Sequence, residues 1–203
     1  MTRSPLRRVT ALAAATAALL AWAPATRAQP VSPWGAQVGP RAYASVGGGA
    51  SSYDTDCGNS RDCDRVGNTV RGAVGVFLAP WYGLEVAAAD FGSSRVGGAL
   101  GEAEYRVRMA GIGLVFPVDY GPQFNGLLRL GVASVRATLQ TVAPGRPAQE
   151  SSSTSVEGYY GFTMGYMVAP NVAVELSFDG TRAYIGDVGG RVDALTMGLS
   201  LRF

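Results

Sequence analysis

The stretch VAVELSFDG (Val172–Gly180) and the carboxyl-terminal run VDALTMGLSLRF (Val192–Phe203) decide the fold. In the first, Val172, Val174, Leu176 and Phe178 fall in one row, and Ala173, Glu175, Ser177 and Asp179 in the other. In the second, Leu195, Met197, Leu199, Leu201 and Phe203 oppose Thr196, Gly198, Ser200 and Arg202. A period of two is the signature of a strand, because successive Cβ atoms point to opposite faces; a helix would scatter these residues around its circumference.

Outward from this pair, the same pattern gives eight segments: Ala42–Tyr53, Thr69–Ala79, Tyr82–Gly92, Ala103–Phe116, Phe124–Thr138, Val156–Val168, Val172–Gly180 and Val192–Phe203. Strands that cross a membrane as a barrel run about 9 to 11 residues and alternate lipid-facing with lumen-facing side chains. Short turns are expected at Ala79-Pro80-Trp81, Pro117 to Pro122 and Ala169-Pro170-Asn171, and long loops at 53–68, 92–103, 139–155 and 181–191. That asymmetry fits short periplasmic turns and long extracellular loops. Proline past the leader is assigned to turns and loops, as a hydrogen-bonded wall requires. Aromatic residues near strand ends suggest two girdles, with Trp81, Tyr82, Tyr120, Phe124 and Phe203 at one rim. Tyr53, Phe91, Tyr105, Tyr159 and Tyr184 fall at the other. The expected fold is an all-β, eight-stranded, antiparallel up-and-down transmembrane β-barrel covering 42–203. Closure follows from solvation, since an open edge in hydrocarbon leaves unpaired backbone groups costing several kcal/mol each.

The chain begins with Arg3, Arg7 and Arg8, continues through VTALAAATAALLAWA and reaches the small-residue site at Ala25 to Ala28. This is the pattern of a secretory signal peptide over 1–28, and its apolar run is shorter than the roughly 20 residues a spanning helix needs. Residues 29–41 are assigned to a short periplasmic segment. Cleavage after Ala28 removes four arginines and no acid, so 17 basic against 15 acidic residues becomes 13 against 15. The remaining charge is slightly negative, and nothing in it points to a nucleic-acid binder. There is no Lys or His.

Glu85, Arg129 and Glu175 fall on the lumen row near the middle of their strands, with Asp179 and Arg71 nearer the extracellular end. Buried charges must be paired, so Arg129 is expected to bridge at least one of the carboxylates Glu85 and Glu175. Cys57 and Cys63 lie in the loop DTDCGNSRDCDRVGN, and export to an oxidising compartment favours a disulfide between them. A metal site there, with Asp54, Asp56, Asp62 and Asp64, lacks His and matches no calcium-loop spacing. Ten of the thirteen arginines past residue 28 map to extracellular loops or outer strand ends. Arg matches phosphate geometry, so Arg106, Arg108 and Arg136 are assigned to lipopolysaccharide contacts, with a solvated rim as the alternative. Without His, general-base activation of a Ser loses its usual partner, and Ser151 to Ser153 lie in what reads as a mobile loop. No catalytic, metal or cofactor site is assigned.

The stretch RGAVGVFLAPWYGLEVAAADFGS, the segment RLGVASVRA and the end MGLSLRF resemble, in the same order, parts of the OmpA-type transmembrane domain. The resemblance implies a small outer-membrane barrel of a Gram-negative bacterium, its terminal Phe203 serving as the signal read by the barrel assembly machinery. The chain stops where OmpA continues into a peptidoglycan-binding domain, so a stand-alone barrel without a wall tether is expected. Glu85 stands where the family places one acidic member of an interior charge switch. Gly113 and Gly165 occupy two of the other positions and Glu175 replaces a basic residue, so the family's gate does not carry over intact. The function implied is non-enzymatic: envelope integrity and loop-mediated adhesion or recognition, as a monomer, with outer-membrane lipids, lipopolysaccharide and an extracellular or host ligand as partners. The alternative is a narrow, porin-like channel for ions or small solutes. A soluble periplasmic barrel holding an apolar ligand would need the opposite orientation of its two side-chain rows.

Overall fold

The computed structural model describes residues 41–54, 62–98, 101–119, 123–142, 147–185 and 188–203. The proposed leader, the segment before Arg41 and the Cys57 side of the first loop lie outside them. The strands are β1 (Arg41–Tyr53), β2 (Asp62–Asp64), β3 (Val66–Ala79), β4 (Tyr82–Gly98), β5 (Gly101–Asp119), β6 (Phe124–Val142), β7 (Gln149–Ala169), β8 (Val172–Ile185) and β9 (Val188–Arg202). Neighbouring strands in the ring are antiparallel; β1 pairs with β9 from Tyr43↔Arg202 to Tyr53↔Val192, and β4 pairs with β5, so the eight long strands close on themselves. The short β2 continues the line of β3 beside β4.

The direction of the two side-chain rows follows from burial. On β8, Glu175 and Asp179 are 4% and 2% exposed, whereas Leu176 and Phe178 are 49% and 36% exposed. Val46, Val74, Val86, Ile112, Leu130, Val132, Met197 and Leu199 likewise face outward around the wall. An apolar belt of this extent exceeds the patches that soluble monomers show, and each side chain would gain about 1.5–3 kcal/mol by leaving water. Hydrocarbon supplies that environment. The fold is a transmembrane barrel whose inward row carries the buried charges and whose wide apolar belt faces outward.

At one end the strands are joined by two-residue turns at Pro80-Trp81 and Pro170-Asn171. The other end differs from the sequence expectation. Most of what reads as long loops is ladder: β4 runs to Gly98 and pairs with β5 down to Gly98↔Gly101, and β6 and β7 stay paired out to Thr141↔Gln149. Ser151 to Ser153 therefore sit in a strand, not a mobile loop. The reason is that a ladder standing in water needs no apolar row, so alternation of hydrophobicity cannot detect it. Pro117 is also in a strand, opposite Leu127, but it lies past the last β4–β5 pair at Gly83↔Val115. With a neighbour on one side only, that position tolerates a missing N–H.

One irregularity redirects a strand. The β4–β5 register shifts between Asp90 and Ser93, and Gly92 has φ +74°, where a Cβ would strike the Asn68 carbonyl. This β-bulge reverses the alternation of the rest of β4, so that Ser94 is buried and Arg95 exposed. The Phe91 and Gly92 carbonyls accept from Tyr53 Oη at 3.0 and 2.8 Å. Ser51 Oγ donates to the Phe91 carbonyl as well.

Candidate functional site

The centre of the lumen holds a closed ring of charge. Arg71 comes from β3, Glu85 from β4, Arg129 from β6 and Asp179 from β8, each on the inward row. Arg71 Nη2 lies 3.3 Å from Glu85 Oε2, and Arg71 Nε 3.1 Å from Asp179 Oδ2. Arg129 Nη1 lies 3.9 Å from the same Glu85 oxygen, and Arg129 Nη2 3.5 Å from Asp179 Oδ1. Two cations alternate with two anions, so the ring is neutral and each buried charge faces two of opposite sign. Such an arrangement offsets the several kcal/mol that desolvation costs each ion.

Hydroxyls complete it. Tyr43 Oη donates to Glu85 Oε2 at 2.6 Å, Arg71 Nη1 donates to Ser45 Oγ at 3.3 Å, and Arg129 donates to Thr163, whose hydroxyl pairs with Ser177 at 2.8 Å. Room for the guanidinium and carboxylate comes from Gly161, where a Cβ would fall within 3 Å of both Arg129 Nε and Asp179 Oδ1. The sequence pattern puts Ser177 on the inward row but assigns none of Tyr43, Ser45, Thr163 and Ser177 to the charge network. Register could have found the last two, because Thr163↔Ser177 are direct partners on the inward row one step from Asp179.

Glu175 is buried on the same row of β8, nearer the two-residue turns, and belongs to no ion pair of the ring. Arg129 thus reaches Glu85 and Asp179 but not Glu175. Near Glu175, Arg202 donates to Asn125 Oδ1. Of Cys63 the backbone alone is described, in β2, and Cys57 lies outside the described residues. Phe203 is exposed at the turn end, its N–H bonded to the Ala42 carbonyl at 2.9 Å.

Two apolar layers sandwich the ring. On the long-hairpin side, Tyr53, Phe91, Val107, Val135, Tyr159 and Val192 pack together, with Tyr105 and Ile185 against them. On the turn side, Tyr43, Val115 and Leu127 pack with Phe77. The outer aromatic girdle expected from the sequence is thereby corrected: Tyr53, Phe91 and Tyr159 point inward and pack in the lumen. Their parity places them on the inward row, which nearness to a strand end does not reveal. At the turn end, Trp81 and Phe124 do face outward.

On the outside of the wall, Arg106 and Arg108 of β5 and Arg136 of β6 are exposed. Arg108 pairs with Asp90 at 2.9 Å, and Arg95 with Glu104 at 3.5 Å. The structure brings Arg106, Arg108 and Arg136 to one shallow groove of about 240 Å³.

A closed wall, an apolar outer belt and buried charges packed between apolar layers inside define a small transmembrane β-barrel. The outer membrane protein beta-barrel domain family matches residues 10–203, and the chain belongs to that family. Among solved structures, the chain is similar to Ail, the attachment invasion locus protein of Yersinia pestis, in complex with the heparin analogue sucrose octasulfate. That match has 16% identity and a TM-score of 0.55, covering 81% of this chain and 99% of Ail. Neisserial surface protein A matches at 15% identity and TM-score 0.58 over 80% of this chain and 97% of its own. A major outer membrane protein of Thermus thermophilus matches at 16% and 0.53, over 80% and 99%. At such identities the likeness is one of fold. No curated protein sequence matches the chain.

Proposed function

We propose that this protein is a non-enzymatic surface-interaction barrel of the Gram-negative outer membrane, sealed to solutes, which holds its extended hairpins outside the cell and helps maintain the envelope. Export through a leader over 1–28, assembly guided by Phe203 and a Cys57–Cys63 disulfide stiffening the first hairpin belong to the same reading. The observation that carries it is the lumen: a neutral ring of Arg71, Glu85, Arg129 and Asp179 between two apolar layers, beneath a wall that continues past the membrane belt. A barrel of eight strands is just wide enough for side chains to fill, which favours a sealed interior over a channel. Ail and Neisserial surface protein A, by their names, are attachment and surface proteins, in keeping with a role in contact.

The surface on offer is specific. β7 pairs with β8 only from Tyr159↔Thr181 onward, whereas its pairing with β6 continues to Gln149. One edge of QESSSTSVE (Gln149–Glu157) therefore has no neighbouring strand among the described residues, the Gly158 carbonyl beside it being taken by Thr181 Oγ1 at 3.1 Å, and this edge is where a partner's strand could add. Two measurements test the proposal. Purified protein in planar bilayers should show no reproducible unitary conductance. Cells displaying the chain should bind host-cell or matrix surfaces more than cells displaying a version shortened across 142–158; reproducible current steps together with equal binding would replace this function with the channel reading.

A further inference from the structure

The outer wall carries a cluster of three arginines of which only one is ion-paired among the described residues. Arg108 and Arg136 are direct cross-strand partners, and Arg106, opposite Thr138, stands next to them on the same outward row. Like charges placed directly opposite destabilise a sheet. Arg108 is partly neutralised by Asp90 across the β4–β5 seam, but Arg106 and Arg136 make no ion pair among the described residues. Three guanidinium groups thus border one groove whose lining also holds Glu104 and Glu150, and among the described residues only Arg108 of the three is ion-paired, to Asp90.

Their height on the wall says what meets them. On β5 the outward row reads Leu114, Ile112, Ala110 and then Arg108; on β6 it reads Leu130, Val132, Ser134 and then Arg136. From the aromatic rim at Phe124 to Arg136 is twelve residues of β6. At about 3.4 Å per residue and a tilt of about 40°, that climb is about 30 Å along the membrane normal, slightly more than the roughly 25 Å apolar band of such barrels. The arginines therefore sit at headgroup level and point sideways into the leaflet rather than up into the medium. Farther out on the same face, Thr138, Gln140 and Glu150 line the groove, with Gln140 Nε2 donating to Glu150 at 3.3 Å. Uncharged and acidic acceptors of this kind suit sugar hydroxyls, and Glu104 is already held by Arg95.

The geometry points to a binding site at Arg106, Arg108 and Arg136 for the phosphates of a saccharide-bearing lipid of the outer leaflet, the lipopolysaccharide class. Guanidinium forks fit phosphate oxygens two at a time, and the anion would relieve the Arg108–Arg136 repulsion. This rests on the outer-membrane placement proposed above. That placement has its own readout, since it fails if the chain does not fractionate with outer membranes, whatever the lipid measurement gives.

The test uses the full-length protein folded in detergent micelles, titrated with four probes: purified rough-form lipopolysaccharide, the same material stripped of phosphate, phosphatidylglycerol and sucrose octasulfate. Saturable binding of the intact glycolipid is expected, weakened at least tenfold by phosphate removal and at least tenfold in R106E/R136E. R106Q/R136Q, which removes charge without reversing it, should show an intermediate loss, and both variants should keep the gel shift of the folded barrel on heating. Equal binding of the phosphate-free glycolipid, equal binding by the variants, or phosphatidylglycerol binding as tightly overturns the assignment. Arginine-dependent binding of sucrose octasulfate without binding of the glycolipid reassigns the groove to sulfated glycans and overturns it equally.

Discussion

Arg129 is the side chain on which the lumen turns, because it contacts both carboxylates of the ring and the Thr163–Ser177 pair. Replacing it with Met leaves Glu85 and Asp179 sharing Arg71 alone, and removal of one partner from a buried ionic network costs about 3–5 kcal/mol. Urea unfolding of R129M in lipid vesicles should show a loss of that size. The fourfold apolar variant R71M/E85L/R129M/D179L should lose less than R129M does, because no charge is left behind in it. If R129M unfolds at the wild-type urea concentration, the ring is not what holds the barrel interior. Gly161 gives a second check: G161A drives a methyl group against Arg129 and Asp179, and overpacking of this kind costs about 1–3 kcal/mol. The inward position of Glu85, Arg129, Asp179 and Arg71 was legible in the sequence, since each is a charge on the polar row of a strand. The choice of partners was not. Glu175 sits on the same row as Asp179, and only closure of the wall shows that Arg129 from β6 meets Asp179 and not Glu175.

Strand ends and the bulge were the least legible elements. Alternation located every membrane-crossing strand, but it stopped where the belt stops, and β7 continues to Gln149 with Ser and Thr on both faces. The free edge of this extension makes a measurable prediction. Amides between Gln149 and Gly158 that point away from β6 should exchange with solvent much faster than those between Tyr160 and Tyr166, where β7 is paired on both sides. Uniform protection across both stretches, seen by NMR hydrogen exchange, would mean that another segment covers the edge. The bulge at Gly92 is equally specific. G92A forces an L-residue to φ +74° with its Cβ against Asn68, and a loss of about 1–2 kcal/mol is expected, together with loosening of the Arg95–Glu104 pair that the bulge turns outward. Nothing in the sequence ASSY or DFGS announces that Tyr53 and Ser51 will satisfy the carbonyls of that bulge. The contacts join β1 to β4 across β3, and depend on the curvature of the closed wall.

For the molecule as a whole, the proposed sealing and the anchoring come from the same division of side chains. The outward row makes the barrel soluble in lipid, and the inward row packs within the lumen, with Tyr53, Phe91 and Tyr159 above the ring. Folded protein loaded on a gel without heating should therefore migrate differently from the boiled chain, and thinning this aromatic layer with Y53A/F91A should not by itself produce conductance while the ring remains. What the sequence determined by itself is the barrel class, the membrane-facing row and the charges that must lie inside, because a period of two fixes which side chains share a face. What only the tertiary structure decided is which charges meet, which aromatics turn inward and where the pairing of β7 with β6 outruns its pairing with β8. Those depend on strand register and closure, which set side chains from distant parts of the chain at the same height, and a one-dimensional pattern holds no measure of height.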